Sequence, residues 1–458
     1  MGRHEPVDAR RLRELDIRHH LHPFTTFAEL AKTGSRIITR AEGCHLWDAE
    51  GNRILDGMAG LWCVNVGYGR TRLAEVAREQ MEELPYYNTF FQTATPPAIE
   101  LAAELAALLP EGIDRIFYAS SGSEANDTIV KTIWYYWNLM GRPEKKIIVS
   151  RTLAYHGVGL GSGSLTGMPF MHEPFDLPLA RFVHIGNPYW FAEGGDLDPE
   201  AFGRVAARWL EEKILEIGPE KVAAFVGEPV QGAGGVIVPP PTYWPEIQRI
   251  CREYDILLVA DEVICGFGRT GRTWGSETFG IAPDMVAMAK GLSSGYQPIA
   301  AVGIGRRVGD VIFDSPREYA HGVTYAGHPV ACRVALENLR IMREEGLFER
   351  AGGPVGRYFA ERLAEFRDHP LIGEVRTCGF LAAMEIVEDK EARRPWPPER
   401  KVGLACREIS IANGLVMRAI RDAMVLAPPL VITEAEIDEM VDKARRTFDT
   451  LARRLGRM

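Results

Sequence analysis

Lys290 closes the apolar run Asp284-Met285-Val286-Ala287-Met288-Ala289 and is followed at once by Gly291-Leu292-Ser293-Ser294-Gly295. A short apolar run bounded by turn residues reads as a buried strand, Met285–Lys290, that delivers its last side chain to a loop. Lysine is almost never buried alone, and at a strand end it ordinarily points into water. In a dry site, however, its ammonium is disfavoured and the free amine can act as nucleophile or proton carrier. The companions decide between these. Leu257-Leu258-Val259-Ala260 runs into the paired carboxylates Asp261-Glu262. A carboxylate such as Asp261 in a partly dry site can hold a ring nitrogen protonated, or simply cap a loop. Tyr118-Ala119-Ser120 runs into Ser121-Gly122-Ser123-Glu124-Ala125-Asn126, a strand that opens a helix through small and hydroxyl residues. Its free N–H groups and positive dipole end suit a phosphate, although a Ser-Gly turn is also an ordinary cap. Tyr155 in Ala154-Tyr155-His156-Gly157 can stack on a flat ring or merely pack. The glycines around Glu228 and Ala233, in Gly227-Glu228-Pro229-Val230-Gln231-Gly232-Ala233-Gly234-Gly235, imply a loop pressed close to something.

The elements that must position these residues are legible as an alternation of helix and strand from Thr71 onward, the pattern of crossover α/β architecture. Candidate strands are Arg115–Ser120, Lys146–Ser150, Val222–Val230, Ile256–Val263 and Met285–Lys290, apolar throughout, which predicts a mainly parallel sheet buried on both faces. In such sheets ligands sit outside the carboxyl ends of the strands, so Asp261 and Lys290 can face one crevice. Asp198 and Pro199 read as the cap and first turn of a helix running through Ile217. Before this region, Ser35 to Gly60 reads as short antiparallel strands, and a charged helical piece spans Arg10 to Arg18. After Gly327-His328-Pro329 comes a helix to about Glu345, then a smaller α+β unit with strands Gly379–Ile386 and Leu415–Arg418 and a proline-rich loop at Glu388–Arg400. His19, His20 and His22 invite a metal, but they lack helical i, i+4 spacing among themselves and no acidic partner in a defined pattern suggests itself, so no metal site is expected.

Composition narrows the classes. The 458 residues carry 53 Lys and Arg against 62 Asp and Glu, a net −9 that argues against nucleic acid or an anionic membrane as the main partner. The seven cysteines are scattered without a CxxC pair, so neither a zinc framework nor disulfides are expected and a reducing, cytoplasmic setting follows. The start, Met1 to Pro6, is charged and lacks the apolar stretch of a leader. No GxGxxG or Walker glycine pattern follows any expected strand, which disfavours a nucleotide-binding α/β protein. A phosphate cup, a stacking aromatic, a partner for a ring cation and a lysine amine at strand ends of one sheet are instead the set that pyridoxal phosphate requires.

With these residues in view, the chain resembles the class III (ω-amino acid) aminotransferases, fold type I pyridoxal-phosphate enzymes. The resemblance runs from about Thr26 to Leu430 through Ser120 to Asn126, Tyr155-His156-Gly157, Gly227 to Gly232, Asp261 to Gly271, Lys290-Gly291 and Thr324 to Pro329. Trp62, Tyr189-Trp190-Phe191 and Gly291 to Tyr296 look most like the amine:pyruvate and putrescine or polyamine:pyruvate branch. The resemblance implies a seven-stranded, mainly parallel sheet in a large domain, residues 66–330, with a smaller α+β domain built from residues 1–65 and 331–458. It implies that Lys290 carries the cofactor and moves the substrate proton, that Asp261 pairs with the pyridinium nitrogen, and that Tyr155 and Val263 sandwich the ring. Ser121, Gly122, Ser123, His156 and Glu228 complete the implied cofactor site, with Thr324 reaching over from a second subunit of a homodimer, or of a tetramer. Phe24, Trp62, Phe90 (from the partner), Phe170 and Ala233 are the implied amine pocket, and Arg418 the mobile arginine that takes the carboxylate of pyruvate. Relatives with tyrosine at the Phe170 position carry a hydroxyl that this chain lacks. The expected reaction moves an amino group from a primary amine to pyruvate. A 2-oxoglutarate-dependent aminotransferase of the 4-aminobutyrate type, or an aminomutase or epimerase on the same fold, is the alternative.

Overall fold

Runs of Val, Ile, Ala and Met build a central seven-stranded sheet in the order Ile113–Ala119, Ala300–Gly305, Met285–Met288, Leu257–Asp261, Val222–Gly227, Ile147–Arg151, Phe182–Ile185. The computed structural model describes residues 8–458, so the start from Met1 to Pro6 lies outside the described residues. Ala300–Gly305 runs antiparallel to both neighbours, and the other pairs are parallel. Every residue of Val222–Gly227, Leu257–Asp261 and Met285–Met288 is buried, as continuous apolar strands require when helices cover both faces. Gly227 is paired with Ala260, and Asp261 with Ala287, so three strands end level. Glu228, Asp261 and Lys290 therefore emerge along one edge of the sheet.

Helices close the two faces. Gly122–Leu139 is started by Ser121, whose hydroxyl accepts the Glu124 N–H at 3.2 Å. It buries Ala125, Ile129, Ile133 and Trp137 at helical spacing against Ala287, Val302 and their neighbours. On the other face Pro199–Ile217 and Tyr243–Glu253 bring Leu210, Ile247 and Ile250 onto Val149, Phe225 and Leu258. Each such side chain contributes about 1.5–3 kcal/mol by leaving water. Asp198 caps the first of these helices, accepting the Ala201 N–H at 2.9 Å, and Pro199 opens it as expected.

Two four-stranded sheets flank this layer. Ile38–Glu42, His45–Asp48 and Arg53–Asp56 are joined by Leu415–Val416, and Ile372–Cys378, Leu381–Ile386, Ala423–Leu426 and Arg418–Ile420 form the other. The expected strand Leu415–Arg418 is thus divided. Leu415 and Val416 pair parallel with Leu55 and Asp56, whereas Arg418 pairs antiparallel with Val425 in the second sheet. The central strands are also shorter than expected at their carboxyl ends. Val263 turns its N–H onto Asp261 Oδ1 at 3.1 Å instead of a neighbouring strand, and Lys290 adopts φ +48° after Met288. Phe182–Ile185 and Ala300–Gly305 complete the sheet without having been expected as strands. Among the described residues no helix is long and apolar enough to cross a membrane.

A buried guanidinium joins distant parts of the chain beside the sheet edge. Arg269 donates to the carbonyl of Pro428 and, at 2.7 Å, to Asn65 Oδ1, while Asn65 Nδ2 donates to the carbonyl of Phe267 at 2.9 Å. Asn338 Nδ2 then holds the carbonyls of Gly291 and Leu292 at 2.9 and 3.0 Å, fixing the turn that follows Lys290. Arg269→Leu strands two buried oxygens, for which we expect a loss of about 2–4 kcal/mol in urea denaturation. A loss below about 1 kcal/mol, within the range of an ordinary surface change, would show that the clamp carries no load.

Candidate active site

The sheet edge holds a cavity of about 140 Å³ lined by Gly122, Ser123, Asn126, Tyr155, His156, Gly157, Glu228, Asp261, Val263, Ile264, Ala289 and Lys290. At its floor Asp261 is almost fully buried, at 3 % exposure. Asn126 Nδ2 donates to Asp261 Oδ2 at 2.8 Å, and His156 Nδ1 lies 2.7 Å from the same oxygen. Asp261 Oδ1 accepts the Val263 N–H. A buried carboxylate is tolerated only when hydrogen-bonded in this way, and the bonds also aim it. Asn126 is the residue whose individual role sequence reasoning did not assign. It lies four residues after Gly122, one helical turn in, so it faces the same edge.

At the mouth of the helix, small residues keep backbone accessible. A Cβ on Gly122 would meet Val263 at 3.3 Å, and one on Gly157, at φ +135°, would fall 2.7 Å from Ser123 Oγ. Glycine at 157 therefore lets the Tyr155-His156-Gly157 turn lie against the helix start. Ser123 Oγ accepts the Val158 N–H at 3.2 Å, and Ser121 stands exposed as the cap. Glu228 braces this arrangement: its carboxylate accepts the Tyr155 N–H at 3.0 Å and the Gly232 N–H at 2.9 Å. Burial pushes its pKa up, and the Tyr155 N–H and the nearby His156 pull against that rise.

Lys290 Nζ sits 5.2 Å from the centre of the Trp62 ring, and the guanidinium carbon of Arg418 sits 4.8 Å from the same ring. Trp62 is itself buried, packed with Met58, Met168, Val230, Ala233 and Ile264. Burial lowers the pKa of Lys290 below the ordinary lysine value, although the Cys63 thiol, Asp261 and Glu228 oppose the fall. Burial lowers the Arg418 pKa likewise.

The cavity thus collects Gly122, Ser123, Tyr155, His156, Glu228, Asp261, Val263 and Lys290, with Trp62, Ala233 and Arg418 close by. Ser121 caps the helix outside the cavity lining, and four other expected residues stand apart from the cavity in a single chain. Phe24 is 70 % and Phe170 64 % exposed, and neither lines the cavity. Phe90 lines a separate groove with Phe91 and His321, and Thr324 is exposed nearby.

Comparison with known proteins accounts for this arrangement. Residues 27–448 match the family model "Aminotransferase class-III". The chain is 52 % identical over 434 residues to a putrescine–pyruvate aminotransferase of Pseudomonas aeruginosa, 95 % of each chain being covered. It superposes with a TM-score of 0.95 on an (S)-enantioselective omega-transaminase from Thermomicrobium roseum, at 45 % identity and over 98 % of this chain and 100 % of that one. The omega-transaminase of Pseudomonas jessenii in complex with PMP also gives 0.95, at 44 % identity, over 97 % and 99 %. The chain belongs to the class III aminotransferases. It is a transferase of the pyridoxal-phosphate fold type I, and its cofactor is pyridoxal phosphate.

The residues present fit that cofactor. A buried carboxylate is aimed into the cavity, glycine and serine leave N–H and O–H donors at a helix start, and a partly desolvated lysine amine completes the set. The lowered Lys290 pKa has a sign that can be checked on cofactor-free protein. Where the folded chain holds the amine neutral and the unfolded chain protonates it, stability falls as pH falls. We expect cofactor-free Lys290→Met to be more resistant to urea than the cofactor-free parent at neutral pH, with the gap closing as pH rises toward about 10, the ordinary lysine range. A gap that does not change with pH would contradict the shift.

Proposed function

We propose that this aminotransferase transfers the amino group of putrescine or a comparable primary amine to pyruvate, releasing an aldehyde and alanine. The observation that carries the reading is Arg418, a half-buried guanidinium stacked on Trp62 with no carboxylate partner among the described residues. Such a group can fork onto the carboxylate of a 2-oxo acid and be left aside when an amine without a carboxylate enters. Around it, Trp62, Ala233, Val230 and Ile264 give an apolar wall suited to a carbon chain. The putrescine–pyruvate relative at 52 % identity supports the same pair of substrates.

Pyridoxal phosphate, when bound, supplies the electron sink that makes a proton on the substrate carbon removable. The chain's part is to hold and orient. Gly122 and Ser123 offer N–H and O–H donors to the phosphate, with Ser121 capping the same helix. Tyr155 and Val263 would flank the cofactor ring, and His156, Asn126 and the Val263 N–H, which hold Asp261, would keep it facing the ring nitrogen. Glu228 positions the Tyr155 turn. Lys290 Nζ, its pKa lowered by burial, is placed to take the proton from the substrate carbon and to return it at the next position.

A homodimer with shared sites is part of this proposal. Tyr86 Oη donates to the carbonyl of Thr324 at 2.7 Å, and Thr89 Oγ1 to that of Ala326 at 3.1 Å. The segments bearing Phe90 and Thr324 are thereby locked together on an aromatic surface with exposed Tyr87, Phe91 and Tyr325. That surface would present both residues to the cavity of a second copy. Phe24 and Phe170 complete the amine pocket in the assembled enzyme. We also propose the division into residues 66–330 and a smaller domain from 1–65 and 331–458, and a cytoplasmic setting, supported by seven free cysteines.

Incubation of the enzyme with putrescine and pyruvate should yield alanine in step with loss of the amine; no alanine from any amine tried would sink the proposal. Arg418→Leu should raise the KM for pyruvate about 10–100-fold, the worth of a charge-assisted bidentate contact, and leave the KM for the amine nearly unchanged. Lys290→Ala should fold and bind the cofactor phosphate, yet lose at least about 10²–10⁴-fold in turnover.

A further inference from the structure

The expectation that the histidine-rich segment has no matched partner is corrected by the fold. The acidic residue lies upstream, on the helix Ala9–His19, where Asp16 precedes His20 by one helical turn. His20 Nδ1 lies 3.0 Å from Asp16 Oδ1, and His22 Nε2 lies 2.9 Å from each carboxylate oxygen. The two imidazole rings stand 4.1 Å apart, centre to centre. One donor atom from each of the three residues falls within 4.8 Å of the others.

We propose that Asp16, His20 and His22 form a binding site for a divalent transition metal ion of the zinc class. The donor set is the one such ions select: two neutral imidazole nitrogens and a carboxylate. Spacing agrees with the chemistry. Ligands at about 2.0–2.1 Å from zinc and at tetrahedral angles stand about 3.3 Å from one another, so the two carboxylate–imidazole separations near 3 Å need only a small outward adjustment to admit the ion. The Asp16 and His22 side chains are mostly covered, at 17 % and 23 % exposure, whereas His20 is 62 % exposed. The exposed side admits the ion and leaves a coordination position for water.

The three residues span the end of a helix and the extended segment after it, so one ion would tie the two together. This segment leads through Pro23 to Phe24. None of the three residues lines the cavity around Lys290.

Zinc binding to the cofactor-loaded enzyme, measured by competition with a chromogenic chelator, tests the site. We expect one equivalent per chain, weakened at least about tenfold by His22→Ala and by His20→Ala alike, a step of about 1.4 kcal/mol each. Zinc should also slow proteolytic cleavage within residues 8–26 in the parent and not in the His20→Ala/His22→Ala double variant. Folding of the variants is checked by unchanged cofactor absorbance. Equal zinc affinity in parent and double variant, or no protection of the segment, would overturn the proposal.

Discussion

The structure around the sheet edge depends on keeping one carboxyl group, that of Asp261, hydrogen-bonded and aimed while it is almost wholly out of water. Desolvation of such a group costs several kcal/mol unless hydrogen bonds replace the lost water. Asp261 obtains them from three separate parts of the chain: the helix through Asn126, the turn through His156 and its own loop through the Val263 N–H. Each donor is in turn fixed. Asn126 Nδ2 also reaches the carbonyl of His156 at 2.8 Å, and His156 takes a backbone bond from its N–H to Thr166 Oγ1 at 2.9 Å. Moving any of these elements would leave a buried charge short of a partner. The same bonds therefore stabilise the fold and set the geometry of the site.

A second constraint is backbone strain beside the lysine. Lys290, Ser294 and Trp62 have φ of +48°, +51° and +58°, values that non-glycine residues rarely adopt. Such conformations cost of order 1–3 kcal/mol each and persist where the surroundings overdetermine them. Here Asn338 grips the turn after Lys290, Ser294 Oγ accepts the Val66 N–H at 3.3 Å, and Arg269 with Asn65 seats the segment behind. Lys290 is delivered by a bent turn rather than by the strand itself. The bend brings its amine toward Trp62 and the cavity.

Much of this was legible in the sequence, and the limits have physical reasons. The parallel sheet could be read because strands buried on both faces are apolar without alternation, as Val222–Gly227 and Leu257–Asp261 are. The end of Leu257–Asp261 could not be placed to the residue, because a side-chain bond, Asp261 to the Val263 N–H, takes the place of a ladder bond there and has no signature in local composition. Ala300–Gly305 has only Val302 and Ile304 set among Ala and Gly, and no aromatic residue, a thin version of the content by which strands are recognised. Lys290, Asp261 and Tyr155 were individually ordinary, and their shared edge gave them meaning. The pairing of Asp16 with His20 and His22 has no signature in the histidine run itself, because it depends on the helix Ala9–His19 ending at His20 and the extended segment bringing His22 back to Asp16.

We propose that Lys290 is the residue that carries the cofactor. Reduction of the cofactor-loaded enzyme with borohydride, followed by digestion and mass spectrometry, tests it most directly. The pyridoxyl group should be found on the peptide containing Lys290 and on no other lysine. A label on a different lysine, or a cofactor-loaded protein that cannot be labelled at all, would contradict it.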